Sequence, residues 1–177
     1  MIKVTDFTEL YPMGGFENNE KVSIMLAHAS MEFYTICRYL QNSYLIDNLL
    51  FKPAVHLPLM HQCIELLVKA LIAKVKQEKL PDKTHKTLSL LIKFQNDVNA
   101  FSQILEDENK IEFIKELEKS YFKVRYGEAH TYFKFSVLDL FNSIIDDLVN
   151  SFDEIHGSKI IGIYHPNILH LKMNDLI

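Results

Sequence analysis

The chain has 177 residues, 48% apolar and 24% charged, with five Gly, five Pro, two Cys and no Trp; this suits one compact domain and excludes disordered, collagen-like and low-complexity classes. Nineteen Lys and Arg stand against 23 Asp and Glu, a formal net charge of −4, and Arg38 and Arg125 are the only arginines, so extensive duplex-DNA readout is disfavoured. The first residues lack the apolar core of a signal peptide and no uncharged stretch reaches the ~18 residues of a membrane span, so a cytoplasmic chain without membrane association is expected.

Residues 1–19 read as an irregular lead-in, broken by Pro12, Gly14 and Gly15. From Glu20 the pattern becomes helical. Val22, Leu26, Ala29, Phe33, Ile36, Leu40 and Tyr44 follow at spacings of three and four, the mark of a long amphipathic helix that fades near Asp47 to Phe51. A second helix is predicted from Pro53 to about Lys76. Met60, Ile64, Leu67 and Leu71 form its stripe, and Cys63, Leu66 and Ala70 widen it enough for a central helix with several neighbours. Pro58 sits in its first turns and argues for a later start. Cys37 and Cys63 fall inside these two patterns and read as buried, reduced thiols.

A third, shorter helix is predicted from about Thr84 to Asn96, with Leu88, Leu91, Ile92 and Gln95 in register. The fourth runs from about Asp107 to Arg125 on Ile111, Ile114, Leu117, Tyr121 and Val124, and Gly127 interrupts it. The fifth, from about Ala129 to Ile155, carries Val137, Phe141, Ile144, Leu148, Phe152 and Ile155, with Gly157 as its C-terminal cap. Only Lys159 to Tyr164 hints at a period of two. The expected architecture is a single all-α, up-and-down bundle of about five helices, with its core at about 20–156. Half of the segment 158–177 is apolar, so it is expected to pack on the bundle or on a second subunit, the bundle being preferred.

The segment Tyr121 to His130 closes one helix, passes Gly127 and opens the next, with Arg125 and His130 on either side of the break. An imidazole there can act as a base near neutral pH, and a guanidinium can hold a phosphate. The same residues also read as an Arg on helix-terminal carbonyls beside a surface His. Lys115, Lys119 and Lys123 recur every four residues toward Arg125; they suit an RNA backbone, but Glu112, Glu116 and Glu118 interleave with them and favour a salt-laced, solvated face. Tyr126 and neighbouring aromatics offer stacking surfaces or core packing. His61 and Glu65, four apart on one face, suit a hydrogen-bonded core-edge His better than a metal pair, because a third ligand is missing. Glu65 is expected to pair with Lys69 or Arg125, and His85 to lie at the mouth of the same pocket or to shape the start of the third helix. No P-loop, GxGxxG, nucleophile elbow or CxxC is present, and no metal or cofactor is expected.

Three segments occur in order: His61 to Ile72, reading His-Gln-x-x-Glu-x-x-x-Lys-Ala at its start; Thr84 to Leu91, with His85; and Arg125, Tyr126, Gly127. Together they resemble the HEPN superfamily of small helical bundles, over about residues 20–156. The resemblance implies one of two functions. In one branch, metal-independent endoribonucleases of toxin–antitoxin or defence type use Arg-x(4–6)-His at a homodimer interface; carried over, His130 activates the ribose 2′-hydroxyl and Arg125 steadies the anionic intermediate. In the other, non-catalytic HEPN modules that bind nucleotide or protein partner a nucleotidyltransferase and end the corresponding helix with Arg-Tyr-Pro, which Arg125, Tyr126, Gly127 matches in two positions of three. Tyr126 departs from the polar residue that usually follows the Arg in the ribonucleases. The resulting expectations are Arg125 and His130 as catalytic residues, Tyr126, Glu65, His61 and Lys123 as substrate-binding residues, a homodimer, RNA or nucleotide as ligand, and a nucleotidyltransferase or antitoxin as partner.

Overall fold

The computed structural model describes residues 19–47, 53–76, 84–125 and 136–161, with side chains over 20–40, 56–76, 84–120 and 138–161. Among these residues there are six helices and no strand: α1 (Asn19–Asp47), α2 (Pro53–Lys76), α3 (Thr87–Phe94), α4 (Asn99–Glu106), α5 (Glu108–Arg125) and α6 (Ser136–His156). The chain is an all-α bundle, and no described helix is long and apolar enough to cross a membrane.

The centre of the bundle is α2, whose residues from Met60 to Ala73 are nearly all buried and which packs against α1, α3, α5 and α6. A helix apolar on nearly every side is stable only when surrounded, as the width of its stripe predicts. Pro58 does not delay its start. It lies within the first turns, where it forfeits one hydrogen bond to the carbonyl of residue 54 and the helix runs on.

The most extensive helix pair joins α1 to α2, and it turns α1 away from the predicted orientation. The buried residues of α1 are Val22, Ser23, Ala27, Ser30, Met31, Tyr34 and Cys37; the row Ser23, Ala27, Ser30, Tyr34 and Cys37 among them is spaced four, three, four and three. Of the predicted stripe Val22 is buried and Leu26 and Phe33 pack at the edge of the core, while Ile36 is 45% exposed. Small side chains account for the difference. Ser23 Oγ donates to the Ala70 carbonyl and Ser30 Oγ to the Cys63 carbonyl, each at 2.7 Å. A step of seven residues forward on α1 meets a step of seven back on α2, so the helices are antiparallel and close enough for side chain to touch backbone. Each such bond contributes roughly 1 kcal/mol, and the close approach suits small side chains at Ser23, Ala27 and Ser30. Both cysteines lie in it; burial pushes the Cys37 thiol up to about 12 and the Cys63 thiol up as well. Beyond the seam, Tyr34 reaches α6, donating to Asn142 Oδ1 at 3.2 Å beside the Phe141 ring.

Two differences concern the short helices. First, α3 begins at Thr87, because Thr84 to Lys86 form a non-helical approach in which Thr84 Oγ1 accepts from the Lys86 amide. Its buried face is Thr87, Leu90, Leu91 and Phe94, which leaves Ile92 52% exposed. Second, α4 raises the count from about five to six. Ala100, Phe101 and Ile104 bury against the core, and Ser102 Oγ ties the helix to the Gln95 carbonyl. Asp107 then serves both neighbours: its amide bonds the Ile104 carbonyl, and its Oδ1 accepts from the Asn109 and Lys110 amides to start α5. Lys110 Nζ also spans to Asp147 of α6 at 2.7 Å.

Gly157, at φ +68°, ends α6 as expected. Its amide bonds the Glu154 carbonyl and the Ser158 amide the Asp153 carbonyl, a Schellman arrangement. The chain then folds back so that Asp153 Oδ1 accepts from the Ile160 and Ile161 amides, and Ile161 is fully buried in the core. Lys159 to Ile161 form a bend, with no strand among the described residues. The rest of the segment to residue 177, and the junction at 126–135, lie outside the described residues.

Candidate functional site

Three helices meet where α3 begins. From α2 come His61, Glu65 and Lys69, on successive turns of one face. The approach to α3 brings His85, Thr87 and the Leu88 amide, and α5 brings Glu118. The Glu65 carboxylate, 1% exposed, holds the centre. Lys69 Nζ lies 2.6 Å from Oε1, and His85 Nδ1 lies 3.1 and 3.2 Å from the two oxygens. A carboxylate withdrawn from water needs such partners, since an isolated buried charge costs several kcal/mol. The Glu-before-Lys order four residues apart makes the first pairing local to the helix. The second joins α2 to the start of α3.

His61 sits one turn before Glu65, with Nδ1 3.7 Å from a carboxylate oxygen and Nε2 3.4 Å from Thr87 Oγ1. Burial holds its pKa below the usual histidine range, against the opposing pull of Glu65. The neutral imidazole is thereby favoured, and its contact with Glu65 is that of a neutral ring beside a carboxylate. Glu118 closes the node from α5. Its Oε1 accepts from the Leu88 amide at 2.8 Å, in the first turn of α3, where the preceding residue Lys86 makes no side-chain cap of its own. A carboxylate is favoured at a helix N-terminus. Desolvation nevertheless raises the Glu118 pKa, with the α3 amides and Lys86 acting in the opposite sense.

Of the expected site residues, Glu65 and His61 meet here, both fully buried, and Glu65 takes Lys69 as its partner. His85 is 46% exposed, so it connects the buried carboxylate to solvent while fixing the approach to α3. Arg125 and Lys123 belong to α5, with Arg125 its last residue, and their side chains lie outside those described. Tyr126 and His130 lie outside the described residues altogether. The lysine stripe is salt-laced: Lys115 pairs with Glu112 at 3.4 Å and Lys119 with Glu116 at 2.6 Å. Among the described residues no group of three or more His, Cys, Asp or Glu is arranged to hold a metal ion.

Sequence reasoning misses Glu118 and Thr87. Glu118 hides among the interleaved Glu and Lys of α5, and only tertiary packing separates it from Glu112 and Glu116. Its position bears on Arg125. Residues seven apart are about 10 Å apart along a helix axis, so Arg125 ends α5 about that far beyond Glu118.

Comparison with known proteins bears on the same region. A family model, described as the HEPN domain, matches residues 56–156. The match takes in all the residues of the node, Arg125 and His130, and leaves α1 outside. Neither the curated proteins nor the solved structures compared with the chain contains a match. Because the matched region spans more than half of the 177 residues, this chain belongs to the HEPN family.

Proposed function

We propose that this HEPN protein is a metal-independent endoribonuclease of toxin–antitoxin or defence type. In this reading His130 takes the proton of a ribose 2′-hydroxyl, the 2′-oxygen bonds the adjacent phosphorus, and the bond from phosphorus to the 5′-oxygen breaks. The departing 5′-oxygen takes a proton from water. Arg125 holds the phosphate and offsets the charge of the pentacovalent intermediate. The observation that carries the reading is the complete Arg-x4-His spacing, Arg125 to His130, within the family match. The ending of α5 at Arg125, seven residues past Glu118, supports it further. Two copies in a homodimer would each bring one such end to a shared RNA cleft, with Tyr126 and Lys123 as flanking contacts and Glu65 and His61 setting the polarity behind it.

A second reading has its own support. Tyr126 follows Arg125 directly, and the Glu65 carboxylate is already saturated by Lys69 and His85, which suits a fixed binding module partnered by a nucleotidyltransferase. RNA cleavage in EDTA separates the two. Wild type is expected to cleave and to leave 2′,3′-cyclic phosphate ends, while folded His130→Ala and Arg125→Ala lose at least about 100-fold in rate. A folded wild type that leaves RNA intact, or mutants that cleave as well as wild type, overturns the nuclease reading.

A further inference from the structure

The helices α4 and α6 do not close on one another completely. Between them lies a cleft of about 140 Å³ that the core leaves unfilled and the nuclease reading does not use. Asp147, Asn150, Ser151 and Glu154 line it from α6, at the spacing of a single helix face. Asn99, Ala100 and Gln103 line it from α4. The most buried of these are Ala100 and Ser151, two small side chains where larger ones would fill the space.

Polar groups in the cleft do not satisfy one another. Ser151 is 8% exposed, yet its hydroxyl makes no hydrogen bond among the described residues. Without a partner a buried hydroxyl costs about 1–3 kcal/mol, so this one favours whatever enters the cleft and offers it a bond. Glu154 enters no ion pair among the described residues. Lys110 takes only Oδ2 of Asp147, at 2.7 Å, and a carboxylate accepts from several donors at once.

We propose that this cleft binds a linear aliphatic diamine. One ammonium group sits on Asp147, the other is shared by Glu154 and Ser151 Oγ, and the methylene chain crosses Ala100. Charge sets the sign of the ligand: two carboxylates line the cleft and Lys110 offsets one of them, which disfavours an anion. Separation sets its length. Asp147 and Glu154 are seven residues apart, about 10 Å along the helix axis. That is too far for both to bind one metal ion at about 2.0–2.6 Å. It suits two ammonium groups joined by a short alkyl chain, each about 2.8 Å from a carboxylate oxygen. Volume agrees, since 140 Å³ equals four or five waters at about 30 Å³ each. Such a space takes a chain of roughly six or seven non-hydrogen atoms and is too small for a nucleotide.

The test is titration of the 15N-labelled full chain with 1,4-diaminobutane, followed by amide chemical shifts, beside 1-aminobutane and magnesium chloride at matched ionic strength. The diamine is expected to give a saturable shift centred on Ala100 and Ser151, with a Kd at least ten-fold below that of the monoamine. Glu154→Gln should raise that Kd at least ten-fold and Ser151→Ala at least three-fold. Neither variant should lower the urea midpoint, because neither side chain makes a bond to the rest of the fold. Absence of a saturable shift overturns the proposal. So do equal binding of diamine and monoamine, the same shifts with magnesium, shifts spread over other exposed carboxylates, or variants that bind as wild type does. The readout is binding and not RNA cleavage, so the result is independent of the nuclease reading.

Discussion

The seam between α1 and α2 and the node at the start of α3 both bury polar side chains between helices, in opposite ways. In the seam, Ser23 and Ser30 each give one neutral proton to one backbone carbonyl, so a hydroxyl and its acceptor satisfy each other with no charge withdrawn from water. At the node a carboxylate with 1% exposure depends on Lys69 and His85, and through His85 it communicates with solvent. The first arrangement sets the distance between two helices. The second sets a local potential where α2, the start of α3 and α5 meet. Polar burial alone therefore does not mark a site; buried charge connected to the surface is the more telling sign.

The sharpest way to break that comparison is to remove charge from one side of the node. Lys69→Met leaves Glu65 buried with His85 and His61 as its remaining neighbours, and about 3 kcal/mol of stability is expected to be lost in urea unfolding. Glu65→Leu should lose less than half as much, because Lys69 and His85 then turn to water. Equal losses would make the node a packing contact like the seam. In the seam itself volume decides. Ser30→Leu is expected to cost about 2 kcal/mol by forcing α1 off α2, whereas Ser30→Ala costs about 1 kcal/mol through the lost hydrogen bond. An Ala variant worse than the Leu variant would mean that the hydroxyl, and not the spacing, holds the pair.

The same contrast explains what could be read from the amino acids beforehand. The centrality of α2 is legible because fourteen consecutive positions from Met60 to Ala73 carry so few polar residues, and Glu65–Lys69 is legible because a helix brings i and i+4 together. The orientation of α1 is not. Counting large aliphatics selects Leu26, Phe33 and Ile36, while the fold buries Ser23, Ala27 and Ser30, whose value is their small size against a particular backbone. Likewise Ile92 belongs by period to the α3 stripe, yet Leu90 and Phe94 face inward, since the helix begins three residues later than expected and is rotated by its anchors His61 and Glu118. α4 escapes because its eight residues make barely two turns. Of the site, the α2 half is local and readable and the place of His85 at its mouth is expected; the links from Glu118 and Thr87 are tertiary and are not.

Acid sharpens the comparison from another direction. Burial depresses the His61 pKa, so the folded state holds the neutral ring more tightly than the unfolded chain does. Its stabilising contribution is present above the ordinary value of 6.5 and is lost as pH falls through the folded value, by up to about 1.4 kcal/mol per pH unit. His61→Gln should flatten the urea midpoint between pH 6.5 and the acid limb. His156 is lowered in the same sense, by burial and by Lys74, so His156→Gln is needed as a parallel measurement. A His61→Gln profile as steep as wild type would leave the node as indifferent to protons as the seam.

The smallest expected effect tests whether Glu118 acts as an acceptor or as a charge. Its folded pKa is raised by desolvation, so its favourable contribution is complete below the ordinary carboxylate range and declines as pH rises through the folded value. Above that value an ionised Glu118 gains the α3 amide and the helix terminus but bears the cost of burial. Glu118→Gln keeps an oxygen on the Leu88 amide without a charge to desolvate. It is expected to match wild type within about 0.5 kcal/mol at pH 7, with any advantage disappearing near pH 4. Glu118→Ala should lose about 1 kcal/mol at both, the usual cost of an emptied cap. If Gln fares as badly as Ala at pH 7, the anion itself holds the start of α3.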